Sequence, residues 1–153
     1  MLPDWIDLCR LFDAHHVDYL LVGGQAVIAH GYPRLTKDFD LWVRATVANG
    51  ARILDALSAF GTPLTNLSAD QFTNPSTIIM LGRDPFRVDL LTDIPGVDFV
   101  TAWSRRTSVT LEGLEVPLIS LEDLIQNKRA VGRLQDLADV EALEKVAAAG
   151  SRT

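Results

Sequence analysis

The stretch LVGGQAVIAHGYPRLTKDFDLWV, residues 21 to 43, sets Asp38 and Asp40 one residue apart in a run otherwise rich in Phe, Leu, Trp and Val. Side chains two apart on a strand share a face. KDFDLWV should therefore turn Phe39, Leu41 and Val43 one way and Asp38, Asp40 and Trp42 the other. Two carboxylates that close repel, and burial raises the cost of each, so a shared cation is the natural compensation. Oxygen donors favour Mg²⁺ or Mn²⁺, and Mg²⁺ commonly takes one or two carboxylates together with phosphate oxygens. Metal and nucleotide are expected together. In FRVDLLTD a third acid, Asp89, interrupts Val88, Leu90 and Leu91 in the same manner. Three acids on adjacent strands could hold two ions about 3.5 to 4 Å apart, one activating an attacking hydroxyl and one neutralising a triphosphate. Asp89 is then both ligand and base candidate. The alternative is a solvated strand face that carries the same acids without an ion.

Gly23 and Gly24 fall where an apolar strand gives way to a helix, a place where backbone N–H groups and the helix dipole favour phosphate. A Gly-Gly pair is also a common turn, and neither the P-loop nor the dinucleotide fingerprint is present. Its position just before the acidic strand is what gives it weight.

The elements that must position these residues follow from periodicity. DWIDLCRLFDAHH places Trp5, Ile6, Leu8, Cys9, Leu11 and Phe12 at helical spacing. DYLLVGG reads as a strand halted by glycine and QAVIAHG as a brief helix ended by Gly31, after which Pro33 breaks the chain before the acidic strand. Thr46 can cap a helix to about Phe60, stopped by Gly61 and Pro63. TIIML and FRVDLLT read as strands of a hairpin turning through GRDP. VDFVTAW predicts a short helix, and TSVTLEG and LEVPLI predict strands around Gly113. Ser120, with Asp123 three residues on, opens a helix that Gly132 separates from a last one ending near Ala149. The fold class is α/β (α+β), a mixed β-sheet flanked by helices, in one domain over residues 1–153 with a C-terminal helical pair at 120–149.

The chain has 153 residues, 48% of them hydrophobic, enough for one core. No apolar run is long enough to cross a bilayer and no signal peptide is recognisable, so a cytoplasmic protein with no membrane partner is expected. A formal net charge of −6 weighs against a broad duplex-binding surface. A local basic site remains open: Arg83, Arg87, Arg105, Arg106, Lys128, Arg129 and Arg133 concentrate positive charge in the C-terminal half. The lone Cys9 reads as a small buried hydrophobe.

GGQAVIAHGYPRLTKDFDLWV resembles the signature of the nucleotidyltransferase superfamily with the polymerase-β-like fold: a glycine turn, a short helix, then Asp-x-Asp on a strand. The similarity is greatest to small bacterial AbiEii and MenT-like toxins and to minimal nucleotidyltransferases, and SLEDLIQNKRAVGRLQDLADVEAL resembles the tail of that group. The resemblance implies transfer of a nucleoside monophosphate from a nucleoside triphosphate, with pyrophosphate leaving. It implies triphosphate contacts from Gly23 and Gly24, two Mg²⁺ ions (Mn²⁺ as the substitute) on Asp38 and Asp40, and Asp89 as third ligand and base. Arg34 and Thr36 match the R-x-T-x-D spacing of the toxin-like members, with Arg34 equally placed to brace its loop. Lys128 and Arg133 correspond to residues near the nucleotide; Asp136 and Asp139 could simply favour the dipole of the last helix. The acceptor implied is a tRNA 3′ end or a protein side chain, with a cognate toxin or antitoxin as partner. The alternatives are an aminoglycoside-type small-molecule acceptor, or a non-catalytic nucleotide- or partner-binding domain of the same fold. Many members have serine where this chain has Gly24.

Overall fold

The computed structural model describes residues 3–82 and 87–150. Helix α1 (Pro3–Ala14) leads into β1 (Tyr19–Val22), α2 (Gly23–Ala29), β2 (Phe39–Val43) and α3 (Val47–Phe60). A 3-10 turn over Ala69–Thr73 precedes β3 (Ile78–Leu81) and β4 (Val88–Leu91). Then come α4 (Phe99–Ser104), β5 (Thr107–Leu111), β6 (Leu114–Leu118), α5 (Leu121–Val131) and α6 (Leu134–Gly150). The strands form one mixed sheet in the order β3-β4-β2-β1-β6-β5.

Local chemistry accounts for most boundaries. Thr46 caps α3 by accepting the Asn49 backbone N–H, and Gly61 ends it in the left-handed conformation. Ser120 caps α5 by accepting from the Asp123 backbone, and Gly132 closes it at φ +72°. Only half of a capping box forms there, because the Asp123 carboxylate is drawn instead to Arg105 at 2.9 Å. Glu112 and Gly113, both at positive φ, make the two-residue turn between β5 and β6. The β3–β4 hairpin is antiparallel as the pattern predicts, while Arg83, Asp84 and Pro85 of the expected turn lie outside the described residues. The 3-10 turn is an addition that periodicity does not foresee.

Central strand β2 is covered on both faces. Phe39 stacks on Trp5 of α1 with ring centres 4.7 Å apart, and Trp42 meets Phe99 of α4 edge-on at 5.1 Å. Cys9 is buried in α1 with its thiol pushed up to about 12 by burial, partly opposed by a hydrogen bond with Tyr19; this is the small hydrophobe the sequence predicts. Among the described residues, no helix is long and apolar enough to cross a membrane.

One buried polar side chain ties the layers together. Asn49, inaccessible to solvent, accepts from the Asp18 backbone N–H at 2.8 Å and donates to the carbonyls of Asp18 and Arg44, each at 3.0 Å. It thereby joins α3 to the start of β1 and the end of β2. Asn49→Ala leaves three main-chain groups without these partners, and we expect a loss of about 3 kcal/mol of stability, measured as a lowered denaturant midpoint with an unchanged slope.

Candidate functional site

The strand–helix turn at Gly23 and Gly24 abuts the acidic strand. Val22 is the register partner of Asp40 across the antiparallel β1–β2 pair. Gly23 has φ +67°, and a Cβ there would overlap the Asp40 carboxylate. A Cβ on Gly24 would come within 2.6 Å of Thr36 Oγ1 and 3.2 Å of the Arg34 guanidinium. The glycines thus make room for this chain's own Asp40, Thr36 and Arg34, a packing requirement beyond the phosphate approach expected from sequence. Serine, the alternative at position 24, would collide with Thr36.

The strand pattern is corrected at one position. β2 begins at Phe39, so Asp38 lies in the preceding loop, its backbone N–H within 3.4 Å of Thr36 Oγ1 and its side chain 51% exposed. Asp40 is on the strand and pairs in parallel register with Asp89 of β4, whose side chain is only 14% exposed. Residues opposite one another in register share a face, so these two carboxylates are neighbours because the sheet makes them so. Burial, first, and then the charges of Asp89 and Asp38 push Asp40 up to about 7, against the pull of Lys128 and Arg87.

Arg87 bridges the remaining acids. Its Nη2 lies 3.3 Å from Asp38 Oδ1 and its Nε lies 3.1 Å from Asp89 Oδ1. Among the described residues, no group of three or more Asp, Glu, His or Cys side chains is gathered into a ready metal cage. The donor set nevertheless fits a hard divalent cation. It is all carboxylate oxygen, its members repel one another, and a guanidinium already stands where a cation is attracted.

Arg34, Lys128 and Arg133 line the same cleft, but none is a bare phosphate hook. Lys128 is buried, 3.1 Å from Asp136 and 3.2 Å from Asp139. Arg34 Nε lies 2.9 Å from Asp139, so the brace on its loop is a carboxylate of α6 as well as the Leu35 carbonyl. Arg133, 75% exposed, reaches Asp136 at 2.7 Å. Burial alone would raise the Asp136 pKa, yet hydrogen bonds from Arg133 and Lys128 outweigh it and hold the carboxyl below its ordinary value. Asp136 and Asp139 are both fully buried, which corrects their reading as simple dipole partners.

A cleft of about 530 Å³ is lined by Gly23, Gly24, Arg34, Thr36, Asp38, Asp40, Lys128 and Arg133, with Asp89 the register neighbour of Asp40. Sequence reasoning missed further residues of this lining. Ser76, at φ +54°, is held by Asp93, which accepts its N–H at 2.9 Å, and both line the cleft. Asn127, buried on α5, donates to the Pro95 carbonyl at 2.9 Å, while Gln126 donates to the Gly96 carbonyl at 2.6 Å. The available signal was Asn127 itself, a polar residue on the inward stripe of α5.

No protein-family model matches the chain, and no curated protein is significantly similar to it. Among solved structures it is similar to the lincosamide antibiotic adenylyltransferase LnuA in its lincomycin-bound form, at 14% identity and a TM-score of 0.60, over 95% of this chain and 98% of that one. A nucleotidyltransferase candidate from Thermotoga maritima matches at 19% identity and a TM-score of 0.60, over 92% and 88%. An antigenic nucleotidyltransferase-like protein from Paracoccidioides brasiliensis matches at 18% and 0.51, over 92% and 74%. The mixed sheet and its flanking helices therefore form a nucleotidyltransferase fold.

Proposed function

We propose that this protein is a divalent-metal-dependent nucleotidyltransferase that moves a nucleoside monophosphate from a nucleoside triphosphate to a hydroxyl acceptor, releasing pyrophosphate. The observation that carries the reading is the register match of Asp40 with Asp89, flanked by Asp38, at a cleft that Arg34, Lys128 and Arg133 also line. Asp38, Asp40 and Asp89 would hold Mg²⁺, or Mn²⁺ in its place. The bound ion supplies charge neutralisation and a more acidic acceptor hydroxyl. Asp89, shielded from solvent, would take the hydroxyl proton on a carboxylate oxygen. Lys128 and Arg133, with the backbone N–H groups at Gly23 and Gly24, would orient the triphosphate, and positioning of this kind accounts for much of the catalysis in phosphoryl chemistry.

The acceptor is read as a macromolecular hydroxyl, a tRNA 3′ end or a protein side chain, with a cognate toxin or antitoxin as partner. A second reading, a small hydroxyl compound, is supported by the structural likeness to lincomycin-bound LnuA. Incubation with labelled NTPs, Mg²⁺ and either total RNA, cell lysate or a panel of aminoglycosides and lincosamides tells these apart by which molecule acquires the label.

Two outcomes test the assignment of Asp40. Asp40→Asn and Asp89→Asn should each lower pyrophosphate release by roughly two to three orders of magnitude; retained turnover would refute the metal assignment. Stability should move the other way. Because the folded pKa of Asp40 is raised to about 7, the folded state holds this proton more tightly than the unfolded chain. The group's penalty is then absent at low pH and grows until pH passes that value. In EDTA at pH 8, Asp40→Asn should be more stable than wild type by on the order of 2 to 4 kcal/mol, and the difference should shrink toward pH 4 in thermal melts.

A further inference from the structure

Arg87 belongs to no wall of the cleft, yet it touches two of the three acids. One guanidinium spans the loop and the strand: Nη2 to Asp38 at 3.3 Å, Nη2 to Asp89 Oδ2 at 3.3 Å and Nε to Asp89 Oδ1 at 3.1 Å. The contact with Asp89 uses both of its oxygens. Arg87 immediately precedes β4, so the sheet anchors its backbone two residues from Asp89, while its side chain is 31% exposed. A guanidinium that donates to one carboxylate oxygen and holds a second nitrogen at ion-pair distance from the other is a good counter-ion, and it cannot be discharged by deprotonation.

From this geometry we infer that Arg87 is a resident counter-cation whose guanidinium competes with divalent metal for Asp38 and Asp89, so that metal binding here is a cation exchange and Arg87 sets its affinity. The inference rests on the metal-dependent reading above. Without metal, Arg87 offsets the repulsion among the carboxylates. As metal enters, the same oxygens must leave the guanidinium, and the cost of breaking those contacts is subtracted from the metal's affinity. Lysine, a compact charge without the fork, would hold Asp38 and Asp89 together less well.

The test is Mn²⁺ binding, followed by the EPR signal of free Mn²⁺, in wild type, Arg87→Gln, Arg87→Lys and Asp40→Asn without nucleotide. Arg87→Gln should bind Mn²⁺ about tenfold more tightly than wild type, with Arg87→Lys between them and Asp40→Asn much weaker. In EDTA, Arg87→Gln should melt below wild type, and Mn²⁺ should raise its midpoint by more than it raises that of wild type. Equal or weaker Mn²⁺ binding by Arg87→Gln, with wild type binding normally, overturns the exchange and leaves the metal-centred function standing. If neither wild type nor Arg87→Gln binds Mn²⁺, the metal-centred function falls and the exchange with it. Should Arg87→Gln not fold, Arg87→Lys decides: tighter binding than wild type supports the exchange, and equal or weaker binding overturns it.

Discussion

Repulsion between like charges that the sheet does not allow to separate governs the site. Asp40 and Asp89 are locked together by the parallel register of β2 and β4, two strands whose other residues bury Phe39, Leu41, Val88 and Leu90. Sliding one strand to part the acids would turn an entire apolar set out of the core. Compensation therefore has to come from what surrounds the pair. Gly23 provides space for the Asp40 carboxylate, and Arg87 and Lys128 provide the opposing charge that lowers its pKa from what burial alone would impose.

The same logic explains α6. Burying Lys128 unpaired would be costly, as would burying Asp136 and Asp139, and together they satisfy one another. Arg34 and Arg133 then bind these acids from the loop before β2 and from the α5–α6 junction. Three cations meet two anions, so the cluster keeps a surplus positive charge in the cleft that Asp38 and Asp40 also line. Helix α6 is thus a structural part of the cleft: it fixes the loop carrying Thr36 and Asp38 and the orientation of Lys128 at the same time.

Much of this arrangement could be read from the chain because it rests on local pattern. Period-two alternation located β2, β4 and their acids, and capping residues set the limits of α3 and α5. What escaped depends on tertiary contact. Asp38 fits the alternation of KDFDLWV yet falls outside the strand, because pairing with β4 begins only at Phe39 and pairing with β1 only at Asp40. The burial of Asp136 and Asp139 depends on Lys128 across a helix junction, and an acidic first turn looks alike whether it faces solvent or a lysine. The 3-10 turn at 69–73 is shaped by close contact with α3, where a Cβ on Gly50 would come within 2.6 Å of the Ala69 carbonyl. In the sequence Arg87 is one of several arginines of the C-terminal half, since nothing local distinguishes a bridging guanidinium from a solvated one.

The composition of the central strands bears on whether the acids have work to perform. A fold under selection for stability alone gains nothing from a carboxylate whose folded form resists ionisation near neutral pH, and an apolar residue of similar size at position 40 would pack beside Trp42 and Val22 without that penalty. Local choices that oppose the fold's own preferences are concentrated at functional sites. Here such a choice occurs twice in register, on adjacent strands, beside a glycine whose missing side chain accommodates one of the acids. On the proposed reading, a site that exchanges one cation for another has a use for that coordination, because its carboxylates would need to stay close enough to grip an ion and remain tolerable when the ion is gone.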